Sequence, residues 1–140
     1  MKVLILGADS SLGGILYKRL KTETDFWILG TYCEPKGDKN LIKIDVNNFI
    51  EVKTFLEHFK ADVVVWCLVG EANNGLANVF NNISKSCKFI YIAANTVFDE
   101  ELVKEHGNSI IVRSGDKDIN ELAEEIISLL KIEKVQLCSI

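Results

Sequence analysis

Cysteine is sparse and badly placed for two of its usual jobs. Cys33, Cys67, Cys87 and Cys138 lie far apart in the 140 residues and form no CxxC pair. That spacing suits neither a zinc site nor the dense disulfide framework of a small secreted domain, so reduced, mostly buried thiols are expected. Histidine occurs only twice, as His58 and His106. Neither has a second ligand or a nucleophile at useful spacing, so both are read as surface helix positions and no metal is expected. Lysine and arginine never cluster and the net charge is −4, which leaves little to attract a phosphate backbone and argues against a nucleic-acid partner. The longest apolar run, Val63 to Val69, cannot cross a bilayer. The opening residues also lack the charged start, long apolar stretch and small-residue cleavage site of a signal peptide. A cytoplasmic location without a membrane partner is the expectation.

What is present is a chain with 48% hydrophobic residues. At this length one domain, residues 1–140, buries about 68% of its unfolded surface.

The most informative stretch runs from Met1 to Gly14, MKVLILGADSSLGG. Lys2 to Leu6 is too short for a core helix and rich in aliphatic residues, so it reads as a buried parallel strand. Gly7 suits a sharp strand-to-helix bend, and Gly13 lets the following helix lie close on the strand. Together they are the two ends of a GxxGxxG turn whose middle position holds Ser10. A side chain there crowds the approach of a pyrophosphate to the backbone. Two readings stand: a turn needed only for geometry, or a phosphate site at a helix N-terminus where Ser10 and Ser11 add hydroxyl donors.

Leu12, Ile15, Leu16 and Leu20 continue at helical spacing, with an expected end near Lys21. Strands are expected at Phe26 to Tyr32 and Leu41 to Ile44, separated by Glu34-Pro35-Lys36-Gly37. Asn48 with Glu51 resembles a capping box, and Val52, Phe55, Leu56 and Phe59 stripe a second helix. A fourth strand is expected at Asp62 to Val69. After a polar loop from Gly70 to Gly75, an asparagine-rich helix carries Leu76, Val79, Phe80 and Ile83. Lys88 to Ala93 is a fifth strand, Asp99 to His106 a short helix, and Ser109 to Arg113 a sixth strand. Asp118 and Glu121 form another capping box for a last helix bearing Ile119, Leu122, Ala123, Ile126, Leu129 and Leu130. Lys134 to Ile140 is expected to add a final strand. Alternation of strands and helices implies an α/β fold with a doubly wound parallel sheet in the order 3-2-1-4-5-6.

In order, MKVLILGADSSLG, LGTY, IDV, ADVVVWC and YIAANTVFDE resemble the extended short-chain dehydrogenase/reductase family, and within it the dTDP-4-dehydrorhamnose reductases. The match covers roughly residues 1 to 100, and IIVRSG at Ile110 to Gly115 is similar to a later family strand. The resemblance implies a single three-layer, NAD(P)-binding Rossmann-like domain without the half that holds a nucleotide-sugar. It implies cofactor-facing roles for Gly7, Ser10, Ser11, Leu12 and Gly13 in the turn. Asp45 and Val46 match the pair that resembles an adenine contact; a helix-capping carboxylate is the other reading of Asp45.

The departures from the family are chemical. Its carbonyl-polarising threonine aligns with Ala94, which cannot donate, and between Phe98 and Ile110 there is no tyrosine to supply a proton. Tyr17 with Lys21, and Tyr32 with Lys36, have the family's four-residue spacing but sit on the glycine-turn helix and across Pro35, so no catalytic residue is assigned. Small residues after the fourth strand are replaced by Trp66-Cys67-Leu68-Val69. Cys33 stands where NADP-preferring relatives place an arginine, leaving Glu34 as the candidate for a ribose hydroxyl. Asp99, Glu100, Glu101 and Glu105 read as a solvated helix start.

The resulting expectation is a shortened, non-catalytic relative that acts as a nucleotide- or partner-binding module. NAD or NADP binds weakly at most, and a nucleotide or nucleotide-sugar is the implied small molecule. The alternative is a reductase completed by a partner subunit. Because Asp99 to His106 looks too short to cover the apolar strands Val63 to Trp66 and Phe89 to Ile92, a homodimer or hetero-complex through that face is expected.

Overall fold

A central strand of a parallel sheet is covered on both faces and so has no polar side. The computed structural model describes residues 1–33, 40–68, 74–93 and 100–138, with the backbone only at 100 and 135–138. In chain order its elements are β1 (Lys2–Leu6), α1 (Ser11–Glu23), β2 (Trp27–Tyr32), β3 (Ile42–Lys43), α2 (Phe49–His58), β4 (Val63–Trp66), α3 (Gly75–Phe80), β5 (Lys88–Ala93), α4 (Glu100–Glu105), β6 (Ser109–Arg113) and α5 (Ile119–Cys138). The strands form one parallel sheet in the order β3-β2-β1-β4-β5-β6, as the sequence pattern predicted. The register places Val3 beside Ile28 and Val63, and Val64 beside Phe89.

Because successive residues of a strand point to opposite faces, the sheet sorts its side chains into two cores. Val3, Ile5, Val63, Val65 and Ile90 meet Leu16 and Leu20 of α1 and Leu122, Ala123, Ile126 and Leu130 of α5. Leu4, Leu6, Val64, Trp66, Phe89 and Tyr91 meet Val52 and Leu56 of α2, Leu76 and Val79 of α3, and Val103 of α4. The result is the three-layer, doubly wound α/β arrangement expected from the sequence. No helix among the described residues is long and apolar enough to cross a membrane.

Several boundaries differ from expectation for local reasons. From Lys134 to Cys138, where a final strand reaching Ile140 is expected, the chain is instead the end of α5, and residues 139 and 140 lie outside the described residues. From Asp118 to Cys138 there is neither glycine nor proline to stop a helix. Likewise α1 runs two residues beyond Lys21, to Glu23. Arg19 on α1 holds the Glu23 carboxylate, with Nε to Oε2 at 2.7 Å, and reaches Glu124 of α5 at 2.6 Å. That pairing lowers the Glu23 pKa from its ordinary value. Strand β4 ends at Trp66 rather than Val69, and Val69 lies outside the described residues. Asp62, expected within that strand, ties strand starts together: its carboxylate accepts from the Lys2 amide at 2.8 Å and its carbonyl from the Lys88 amide at 3.0 Å. At the head of α2, Asn48 accepts from the Glu51 amide at 3.2 Å, which is half of the expected capping box.

The short crossover does not leave the apolar face bare. Val63, Val64, Val65 and Trp66 are at most 1% exposed, Phe89 is fully covered, and Tyr91 is 5% exposed. One side chain of α4, Val103, reaches 0% exposure in that core. From α3, the Phe80 ring lies 4.6 Å from that of Phe89. Two turns of helix suffice because the aromatic side chains of the sheet themselves fill the space. Trp66 stacks on Tyr91 with centroids 6.4 Å apart and 15° between planes. The expectation of a homodimer or hetero-complex through this face therefore loses its premise.

If α4 covers the sheet through Val103, then Val103→Ala should destabilise the protein by about 1–3 kcal/mol in urea denaturation. The exposed neighbour Glu101→Ala should change stability by no more than about 0.5 kcal/mol. Equal effects of the two substitutions would contradict the packing described.

Candidate functional site at the β1–α1 turn

At the end of β1 the chain must reverse direction within a few residues and still bring α1 onto the sheet. Gly7 takes φ +86°, a left-handed conformation open to glycine, and a Cβ there would lie 3.0 Å from the Cys67 carbonyl carbon and oxygen. The Gly7 amide donates to Thr31 Oγ1 at 3.3 Å and the Ala8 amide to the Thr31 carbonyl at 2.9 Å, which fixes the turn to the end of β2. Thr31 is 2% exposed. One turn into α1, a Cβ on Gly13 would lie 2.2 Å from the Gly7 carbonyl oxygen, closer than any side chain can come to backbone. Both glycines thus have the roles the sequence predicted.

Ser10 behaves differently from expectation. It is the N-cap of α1, and its hydroxyl accepts from the Gly13 amide at 3.1 Å while donating to the Gly7 carbonyl at 2.6 Å. A hydroxyl with its only proton given to Gly7 offers none to a phosphate, and it also takes up one of the helix amides. Ser11 opens α1 and is exposed, whereas Leu12 is half-buried against the α1–α5 core. The amides of Ser11 and Leu12 have no acceptor among the described residues and are the donors that remain. On the β4 side of the turn stands half-buried Leu68, whose Cδ2 is 3.1 Å from where a Gly7 Cβ would be.

The second group of expected residues follows β3. Asp45 is half-buried and makes a local turn: its Oδ1 accepts from the Asn47 amide at 3.0 Å, and its carbonyl from the Asn48 amide at 3.0 Å. The residue that caps α2 is therefore Asn48 rather than Asp45. Val46 is 8% exposed, and its carbonyl accepts from Asn78 Nδ2 on α3 at 2.9 Å. Asn78, itself 8% exposed, pins the β3–α2 connection and was not singled out in the sequence. An asparagine-rich α3 was legible, but spacing does not separate buried Asn78 from exposed Asn81. Gly30 was also missed as a packing residue: a Cβ there would lie 2.7 Å from Ala8 Cβ and 2.9 Å from Tyr17 and Leu41. Its place within the LGTY stretch was the available signal.

The remaining candidates resolve individually. Tyr17 donates its hydroxyl to the Asn40 carbonyl at 3.2 Å, and Lys21 Nζ lies 4.9 Å from the Tyr17 ring, so this pair joins α1 to the chain before β3. Ala94, Glu34, Lys36 and Asp99 lie outside the described residues, as does the side chain of Glu100; Glu101 and Glu105 are exposed. His58 is an exposed helix residue whose Nδ1 is 2.7 Å from the Thr54 carbonyl. His106 follows α4 instead of lying on a surface helix, is half-buried, stacks on Phe80 at 5.3 Å, and places Nε2 2.6 Å from the Cys87 carbonyl. Among the described residues no group of three or more metal-ligating side chains comes together.

Two of the thiols are inert by environment. Cys67, next to Gly7, has its pKa pushed up to about 12 by burial. Cys87 is also pushed up to about 12, chiefly by burial and further by Asp62. Cys33, by contrast, is exposed. In a Cys138→Ser background at pH 8, a thiol reagent should therefore modify Cys33 promptly and reach Cys67 and Cys87 only on unfolding. Fast native-state labelling of Cys67, read by peptide mass spectrometry, would contradict the burial described.

The two glycines of α1 make a sharper pair. Gly13→Ala should cost more than about 2 kcal/mol, because backbone must move to admit the methyl group. At Gly14, where a Cβ would have its nearest contact at 3.4 Å, alanine should be neutral or stabilise by up to about 1 kcal/mol. Thermal unfolding of both variants checks the contrast.

No family model and no curated protein matches the chain. Solved structures do. A hypothetical dTDP-4-dehydrorhamnose reductase from Sulfolobus tokodaii superposes with a TM-score of 0.69 at 15% identity, over 95% of this chain and 73% of that one. The Bordetella bronchiseptica enzyme WbmH, in complex with NAD+, gives 0.64 at 15% identity over 80% of this chain and 55% of its own. The dTDP-4-dehydrorhamnose reductase from Bacillus anthracis, in complex with NADP, gives 0.59 at 21% identity over 81% and 53%. The chain thus spans about half the length of the latter two. At these identities the likeness is one of fold, and the fold it is similar to is the Rossmann-like fold of NAD(P)-binding proteins.

Proposed function

We propose that residues 1–140 act as a single Rossmann-like binding domain, a shortened and non-catalytic relative of the nucleotide-sugar reductases, whose β1–α1 turn takes a nucleotide weakly. The observation that carries this reading is Ser10. Gly7 and Gly13 fit a pyrophosphate-binding turn, since the left-handed bend and the close approach of α1 to β1 both need a missing Cβ. Within it, the Ser10 hydroxyl occupies the Gly13 amide and the Gly7 carbonyl. An anion is left with the amides of Ser11 and Leu12 and the dipole of the 13-residue α1. Leu68 narrows the approach from the β4 side. Gly7, Ser10, Ser11, Leu12 and Gly13 would line the phosphate side, and Asp45 and Val46 the adenine side. A bound NAD or NADP would supply hydride chemistry, but the sequence assigns no acid to go with it, because Ala94 replaces the donor hydroxyl and no tyrosine lies between Phe98 and Ile110.

Calorimetric titration with NAD and NADP tests the reading. Dissociation constants weaker than micromolar are expected for the unmodified chain. Ser10→Gly should tighten binding about tenfold by freeing the Gly13 amide, at a cost of only a few tenths of a kcal/mol in helix capping. Micromolar or tighter binding by the unmodified chain would overturn the proposal. So would protein-dependent oxidation of NADH or NADPH with a dTDP-4-keto sugar.

A further inference from the structure

The chain has a single Asn-Gly pair, Asn74-Gly75, and it falls where α3 begins. Every other asparagine is followed by a residue with a side chain. Several are also held: Asn48 accepts from the Glu51 amide, while Asn78, Asn82 and Asn108 donate to the carbonyls of Val46, Asn78 and Ser86. Asn74 differs on both counts. It is exposed, its side chain makes no capping bond to α3, and that side chain has no other partner among the described residues. The Gly75 amide beside it stands at the first position of the helix, where no intrahelical acceptor exists. It has none elsewhere among the described residues.

From this juxtaposition we propose that Asn74 is a site of spontaneous deamidation. The Gly75 nitrogen gives its proton to solvent base and attacks Asn74 Cγ. A bond forms between that nitrogen and Cγ, the bond from Cγ to Nδ2 breaks, and ammonia leaves with a proton taken from water. The product is a five-membered imide. Water then opens it at either carbonyl, giving aspartate where the new bond to Cγ breaks and isoaspartate where the original peptide bond breaks. Water is the only co-reactant. A side chain at position 75 would crowd the closing ring, and glycine has none. Asn74 has φ −91° and ψ 0°, and the closing motion is a rotation about its Cα–C bond. The Asn74 carbonyl stays in the plane of the Gly75 peptide during that rotation, so the 2.9 Å bond it accepts from the Asn78 amide survives. Helix α3 does not have to open first.

The two products differ for the fold. Aspartate is as good an N-cap as asparagine. Isoaspartate routes the main chain through Cβ and turns the former carbonyl into a free carboxylate, so the Asn78 amide loses its acceptor in the helix. Leu76 and Val79 of α3 are core residues, and Asn78 Nδ2 holds the Val46 carbonyl at 2.9 Å. Conversion at residue 74 therefore loosens α3 and, through Asn78, the connection from β3 to α2.

Keeping the full chain for weeks at pH 8, with sampling by peptide mass spectrometry and thermal unfolding, tests the proposal. The expected result is loss of the Asn74 amide ahead of every other asparagine, chiefly to isoaspartate, with a fall in unfolding temperature that tracks the isoaspartate fraction. Gly75→Ala, with folding checked by circular dichroism, should slow the loss several-fold. Because Gly75 is buried, the exposed Asn74→Gln is the second variant; its longer side chain closes the ring poorly, and it should age without the fall in unfolding temperature. Asn74→Asp should unfold with fresh unmodified protein. An Asn74 that outlasts other asparagines would overturn the proposal. So would an isoaspartate form that unfolds with fresh protein, or an Asn74→Gln chain that ages as the unmodified one does.

Discussion

The contact on which the rest of the molecule depends is one of backbone on backbone, where α1 crosses the end of β1. With a Gly13 Cβ excluded by the Gly7 carbonyl oxygen at 2.2 Å, α1 lies closer to the end of β1 than any other residue at that position would allow. That closeness lets Leu16 and Leu20 reach full burial against Val3 and Ile5, and it brings Arg19 within reach of Glu124 on α5. It also ties the turn to the end of β2, because the amides of Gly7 and Ala8 both go to Thr31. Gly30 extends the same constraint sideways, since Ala8, Tyr17 and Leu41 all use the space its side chain would fill. Three glycines thus set the spacing of the first βαβ unit, and the aliphatic side chains fill what the spacing leaves.

This explains why the fold was so legible in the sequence and the site only half so. Strand runs such as VLIL and VVVW are buried on both faces, a pattern with few alternatives once helical stripes separate them, and their order followed from the alternation. Local signals were read less well where two outcomes share one pattern. Lys134 to Cys138 contains aliphatic residues that suit a strand, but a helix already under way continues until something stops it, and nothing between Asp118 and Cys138 does. The shortness of α4 is legible in the sequence and its consequence is not, because coverage depends on the size of what lies beneath. Trp66, Phe80 and Phe89 fill the layer that a longer helix would otherwise occupy.

At the site, glycines were legible because their roles are steric and local. The role of Asn78 was not, since its partner is a carbonyl 32 positions away and hydrogen bonds over that separation leave no periodicity. The sequence shows the bulk of Ser10 and a hydroxyl that could serve a phosphate, but not that the hydroxyl turns inward to the helix start. A serine at an N-cap closes on its own helix, and a hydroxyl that serves the Gly13 amide and the Gly7 carbonyl has no further proton to offer.

Ser10 also shows how a nucleotide turn and a stable helix start compete for the same groups. The first amides of a helix can be satisfied by a bound anion or by the protein's own side chain, and each that is taken internally is withdrawn from a ligand. With a glycine at the middle position, the turn keeps its donors for a phosphate and is completed only when one arrives. With serine, α1 is capped before any ligand is present, and the geometry set by Gly7 and Gly13 persists without it. On the reading proposed above, part of the stability that a glycine turn would gain only in a complex is thereby held in the free protein, as the Ser10 hydroxyl bridges Gly7 and Gly13 with no ligand needed.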